Sequence, residues 1–396
     1  MKIVNPKHRP AWFLAFSVFL LAPSFDTALK YFGSTGVVVY FVAGTVALLF
    51  ADRFLIPAYQ KLVSEKSASY LALASLITLS ATALIVYPIA NSGRFGGGSD
   101  GDDALITAVT ELLNGRYPYY LNTYLGNLIS PMPGAIVLAI PFVALGLLPL
   151  QNVFWLAILF LVFRKFEESS VSALGVVWIM LFVSPTLLQN IVTGADYASN
   201  SIYVLVAMWA LIRTLSHDSA EWKPFAAAVL LGVGLSSRST FMLAMPLLLS
   251  ALVQNAGWKP AIKYLVIAAI TFLVVTIPFW LYDPAGFAPL RVQSDKLKAI
   301  EDFLPFASII IPGSAMLMSV GLSFQRMRSD ITVFFRNCAI VQLFVLMFTA
   351  LIYTLKLGRL DFYVGQTGYG MFTLFFGAVA GWTYLYGKRS ISEEES

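Results

Sequence analysis

The chain has 396 residues, 58% hydrophobic and 12% charged, with a mean hydropathy of +0.77. Soluble domains run at roughly 45–50% apolar and about 25% charged, so a water-soluble fold is excluded. The formal charge of +5 belongs to basic residues spaced as a membrane topology requires, which argues against a nucleic-acid-binding face. The one cysteine, Cys338, lies inside an apolar stretch and leaves neither a disulfide framework nor a thiolate metal site.

Apolar runs of about 17–25 residues, each able to cross a hydrocarbon core about 30 Å thick, recur from Ala11 to Tyr386. They predict an all-α polytopic transmembrane bundle, a single integral membrane domain over residues 1–396. Lys2, Lys7 and Arg9 precede the first run; no small-x-small cleavage site closes it and Asp26 follows, so an uncleaved span is expected. Arg53, Lys61 and Lys66 separate the second and third runs, and both basic segments read as cytoplasmic. Alternation then puts Arg164 and Lys165, Arg213 and Lys223, Lys259 and Lys263, Arg326 and Arg328, and Lys388 and Arg389 inside. The expected topology has about twelve crossings, both termini cytoplasmic and a short tail at 388–396, provided the stretch from Pro131 to Phe163 crosses an odd number of times. Pro141, Gly146 and Pro149 interrupt that stretch, which reads as one kinked span or as several short broken helices.

Three polar segments fall outside on this topology: 91–131, 282–304, and Lys356 to Gln366. The first opens with a glycine-rich run and then Asp100-Gly101-Asp102-Asp103. Leu105, Ala108, Val109, Leu112 and Leu113 follow at helical spacing, with Asn114-Gly115 as a stop, predicting an amphipathic helix at the membrane interface. Arg116, Tyr117, Tyr119, Tyr120 and Tyr124 come next, suited to an interface or to stacking on a sugar. One acid, Asp102 or Asp103, is expected to cap the helix. The crowding of three carboxylates favours solvation, a cation or a shared proton, and raises a pKa towards base strength. The two histidines, His8 and His217, both fall inside, so an external reaction needs a carboxylate base and has no Ser-His or Cys-His pair.

Further along, Thr193-Gly194-Ala195-Asp196-Tyr197 reads as a short external turn. Ser236-Ser237-Arg238-Ser239-Thr240 breaks an apolar stretch, and a cation there needs a partner or a polar cavity. Arg291, Lys296 and Lys298, and then Lys356 and Arg359, put cations on the side where the positive-inside rule disfavours them, a pattern suited to an anionic ligand.

The stretch from Asp102-Asp103 through Leu112-Leu113-Asn114-Gly115-Arg116-Tyr117-Pro118-Tyr119 resembles the first external loop of GT-C superfamily glycosyltransferases. Gly194-Ala195-Asp196 and Leu230-Leu231-Gly232-Val233-Gly234-Leu235-Ser236-Ser237-Arg238 resemble the next recurring block, and within that superfamily the pattern resembles bacterial polyprenyl-phosphate-mannose-dependent mannosyltransferases of the cell envelope. The chain departs from that pattern in two ways. An extra N-terminal hairpin precedes the acidic loop, and Ala195-Asp196 and Arg238 stand where the family has Gln and Lys.

The resemblance implies an inverting transfer of mannose, or another hexose or pentose, from a polyprenyl-phosphate-linked donor to a lipid or glycan acceptor outside the plasma (inner) membrane. Asp102, Asp103 or Asp100 is then the base, a cation such as Arg238 or Arg291 meets the departing phosphate, and Asp196, Arg116, Tyr119 and Tyr120 complete the substrate site. Membrane lipids surround it, no nucleic acid is involved, and no cofactor is assigned. Asp100-Gly101-Asp102 is a D-x-D string, compatible with a divalent metal but too short to establish one. The competing readings are a transporter or flippase of lipid-linked sugars, expected to show an internal repeat and mid-membrane charges, and a polysaccharide polymerase or ligase, expected to have cationic external loops.

Overall fold

The structure is a computed structural model and describes residues 9–92, 99–216, 219–328, 330–362 and 366–387. Lys2, Lys7, His8, His217, the glycine-rich run at 93–98 and the 388–396 tail lie outside the described residues, as does the side chain of Lys296. Among the described residues every element is helical, and the one β feature is an isolated bridge between Asn122 and Leu128.

The N-terminal hairpin rises through α1 (Arg9–Leu21) and a 3-10 turn at Ala22–Ser24 into α2 (Phe25–Phe50), which reverses within itself at Gly33 (φ +68°), so that Phe25 packs on Tyr40 and Phe41 and Arg9 meets Asp52. A π turn and α3 (Ile56–Leu62) lead into α4 (Glu65–Ala90), whose start is capped by Ser64 accepting from the Ser67 amide. The acidic segment forms α5 (Gly101–Leu113), ending one residue before Asn114 as the stop signal predicts. The stretch from Pro131 to Phe163 is a short helix, α6 (Pro133–Ala144), then a 3-10 turn, then the long α7 (Gln151–Glu167). Twelve residues extend about 18 Å, short of a core about 30 Å thick, so α6 does not cross by itself.

A single apolar stretch then divides into α8 (Ser170–Val183) and α9 (Pro185–Thr193), bent by 91°. The cause is local. Pro185 has no amide to continue the ladder, and the Ser184 side chain accepts from the Leu187 amide to start a new helix. The remainder comprises α10 (Tyr197–Ser216), α11 (Trp222–Leu235), α12 (Met245–Ala256), α13 (Trp258–Tyr282), α14 (Ala288–Lys298), α15 (Ala307–Ser323), α16 (Ile331–Leu357) and α17 (Gln366–Tyr386). Among the described residues seven stretches are long and apolar enough to cross a membrane, or eight with the bent pair counted as one; the first of them takes in both α1 and α2.

The centre of the bundle is α10, buried along nearly its whole length and flanked by α7, α11, α12 and α17. Outer helices show the opposite pattern. In α13 the small inward residues Ala261 and Ala268 are buried while Ile262, Val266, Ile270 and Val274 are exposed. An apolar stripe on both faces of a helix is stable only where the outer solvent is itself apolar, which is the signature of a membrane bundle. Small residues bring the helices close: Gly377 and Gly381 on α17 receive the Phe19 and Phe16 rings of α1, and a β-carbon at either glycine would overlap those rings.

Candidate functional site

The first turn of α5 sorts the three carboxylates by the partners they reach. Asp100 occupies the N-cap position, but its side chain bonds elsewhere: Oδ2 accepts from Thr123 Oγ1 and Asn127 Nδ2, both at 2.8 Å. Asp103 Oδ2 accepts from the Tyr124 amide at 2.7 Å. These two acids pin the following loop to the start of α5. Neither Asp102 nor Asp103 is the cap, contrary to expectation, because Asp100 already holds that position and both lie inside the first turn.

Asp102 turns into the protein and is 5% exposed. Its Oδ2 accepts from the Tyr87 hydroxyl at 2.8 Å and from Asn91 Nδ2 at 2.9 Å, both near the end of α4. Its Oδ1 is buried without a partner. Burial pushes the Asp102 carboxyl above its ordinary range, and the Tyr87 hydrogen bond and the backbone amides, which pull it down, do not cancel that shift.

Two residues nominated separately, Asp196 and Arg238, meet in a buried ion pair, Nη2 to Oδ1 at 2.7 Å. Asp196 Oδ2 also accepts from Asn200 Nδ2 at 2.9 Å, and the guanidinium lies 4.6 Å from the centre of the Tyr197 ring. Arg238 Nε is buried and unpartnered. Backbone geometry joins this pair to Asp102. Gly194 closes α9 at φ +73°, where a β-carbon would sit 3.0 Å from Tyr87 Cε2 and 3.4 Å from Asp102 Cβ; one on Gly101 would sit 3.2 Å from Ala195 Cβ. From the other side, the Gly134 amide at the start of α6 donates to the Ser236 carbonyl. Asp102, the Gly194 turn and the Asp196–Arg238 pair thus share one end of the bundle.

The other candidates have structural partners of their own. Tyr119 is buried, with its hydroxyl on the Pro131 carbonyl and its ring against Phe279 and Phe287. This aromatic cluster and α6 cover Leu105, Ala108 and Val109, so the face of α5 expected to lie on the membrane packs on protein instead, while Ile106 and Leu113 are exposed. Tyr120 is exposed beside Tyr117, and Arg116 makes a two-pronged surface pair with Glu111. Arg291 is exposed on α14 and donates to the Ala285 carbonyl, while Lys298 pairs with Asp295 and Lys356 with Asp302. Among the described residues no three His, Cys, Asp or Glu side chains converge as a metal would require; the D-x-D string is divided between different partners.

Sequence reasoning passed over Tyr87, Asn91 and Asn152. Asn152 Nδ2 bridges the Asn190 and Ala195 carbonyls, both at 2.8 Å, and its Oδ1 accepts from the Ser199 amide, so it sets the shape of the turn carrying Asp196. The available signal was spacing: Tyr87 and Asn91 stand four apart at a span end, on one helix face.

The fold defines a class, an all-helical protein built for a membrane, with a polar site at one end. Compared with known proteins, the chain matches no family model, no curated protein and no solved structure.

Proposed function

We propose that the chain is a membrane glycosyltransferase of the GT-C type, with about twelve crossings, moving a hexose or pentose from a polyprenyl-phosphate donor to an acceptor hydroxyl on the extracytoplasmic face. The observation that carries this reading is Asp102: of three neighbouring acids it alone is buried, and two donors hold one of its oxygens while the other has no partner. An acid in that state suits general-base work, because its raised pKa matches a hydroxyl proton that becomes acidic only as bonding develops.

On this reading Asp102 Oδ1 takes the proton of the acceptor hydroxyl as that oxygen bonds to the anomeric carbon. The bond from that carbon to the phosphate oxygen breaks, and the electron pair leaves with the phosphate, giving inversion. Arg238, fixed by Asp196 and Tyr197, offers its unpartnered Nε–H to the departing phosphate. Proteoliposomes loaded with a labelled polyprenyl-phosphate sugar and an acceptor extract test the proposal. A covalent labelled product is expected; label that changes leaflet without changing its chemical linkage would support the transporter reading, which the 91° break between α8 and α9 favours.

A further inference from the structure

Next to the Asp102 site, α2, α9 and the start of α10 line a half-open cavity of about 140 Å³ whose lining includes Asp26, Thr27, Gln189, Asn190, Thr193 and Tyr197. The extra hairpin therefore forms one wall. It is fastened there by hydroxyls: Thr27 Oγ1 lies 2.6 Å from Thr186 Oγ1, and Ser24 Oγ lies 3.0 Å from Ser184 Oγ. The opposite wall shares the Thr193–Ala195 turn with Asp102, and Tyr197 carries Arg238 on its ring.

The lining states what it lacks. Asn190 is 2% exposed, and its Nδ2 donates to the Thr186 carbonyl, which fixes the amide orientation and leaves Oδ1 buried without a donor. The Asp26 carboxylate lines the same cavity, one helical turn from Lys30, which also lines the space. Gln189 Oε1 already accepts from Thr27 Oγ1 at 3.2 Å. Acceptors at Asn190 and Asp26 beside the Lys30 ammonium are completed by a ligand that both donates and accepts. A phosphate brings more acceptors and meets both a carboxylate and a bare carbonyl oxygen, so it fits poorly. Adjacent hydroxyls of a sugar ring donate to Asn190 Oδ1 and Asp26 and can accept from an ammonium.

We propose that this cavity holds one monosaccharide unit, with Asn190 and Asp26 accepting from its hydroxyls, and that the N-terminal hairpin selects the sugar. The selecting role rests on the glycosyl-transfer reading; the binding itself does not. Saturation-transfer NMR on the purified full chain in detergent, with a panel of free hexoses and pentoses, tests it, and inorganic phosphate is followed in parallel by its phosphorus line width. At least one monosaccharide is expected to receive saturation, weakened about tenfold in Asp26→Asn, which keeps side-chain volume, and lost in Asn190→Leu. Asp102→Asn is expected to retain binding. Equal saturation in wild type, Asp26→Asn and Asn190→Leu, no response from any sugar, or phosphate binding alone would overturn the proposal. Sugar binding in a protein that forms no transfer product would instead sink the transferase reading and leave the cavity assignment standing.

Discussion

Asp102, Asp196 and Arg238 are charged side chains held in surroundings unlike those of an ordinary surface charge, and each difference has a measurable consequence. The Asp102 carboxyl titrates above its ordinary range because burial disfavours its charge. A base of this kind is lost as pH falls through its raised pKa, so the acid limb of kcat/KM is expected above the ordinary Asp value of about 3.9. A limb at or below that value would contradict the assignment. For stability the sign reverses: a raised folded pKa means that burial of the charged form costs stability, fully felt above that pKa and relieved on acidification. Asp102→Asn, which keeps an oxygen for Tyr87 and Asn91, is therefore expected to leave unfolding free energy at neutral pH within about 1 kcal/mol of wild type, or to raise it. The Asp196–Arg238 pair behaves differently. Removing either partner leaves a buried unpaired charge, and Asp196→Ala or Arg238→Ala is expected to destabilise by about 3–5 kcal/mol, with the double variant less affected than the sum. Denaturation of the detergent-solubilised variants checks both statements.

Among the elements, α5 was the most legible in sequence. The spacing of Leu105, Ala108 and Val109 and the Asn114-Gly115 stop mark its length and its buried face. What covers that face was not legible, because α6, Tyr119 and Phe287 come from other segments, as do the partners that separate Asp102 from Asp100 and Asp103. The pairing of Asp196 with Arg238 was hidden for the same reason: both residues were conspicuous, but their meeting depends on the turn between α9 and α10. That turn relies on Gly194, which adopts a left-handed conformation with Tyr87 and Asp102 against it. Gly194→Ala is expected to cost about 1–2 kcal/mol of stability through the backbone alone and to displace the Tyr87–Asp102 contact. Loss of the proposed transfer well beyond the loss of folded protein is the expected readout; unchanged transfer would show that the turn does not position Asp102.

On the scale of the whole molecule, the bundle has two unlike ends. One carries Arg9 paired with Asp52, Arg213 paired with Glu167, and Glu65 bonded to Ser169; the other carries Asp100, Asp102, Asp103 and Asp196. Apolar runs of about 17–25 residues foretold the helical bundle, since a membrane admits only helices and closed barrels and runs of that length suit a helix; the orientation proposed for it rests on the positive-inside rule. Cys338 is buried, so single cysteines introduced into a Cys338→Ala background report orientation. An impermeant thiol reagent is expected to reach Tyr120→Cys in intact cells and Lys165→Cys only after permeabilisation; the reverse would move the site to the cytoplasm and remove a polyprenyl-linked external donor from consideration. The central claim, that Asp102 is the base, is met most directly by transfer of labelled sugar from a polyprenyl-phosphate donor by purified wild type, Asp102→Asn and Asp103→Asn. A loss of about 10²–10⁴-fold in kcat is expected for Asp102→Asn, with Asp103→Asn retaining most activity; full activity in Asp102→Asn would contradict a role as base.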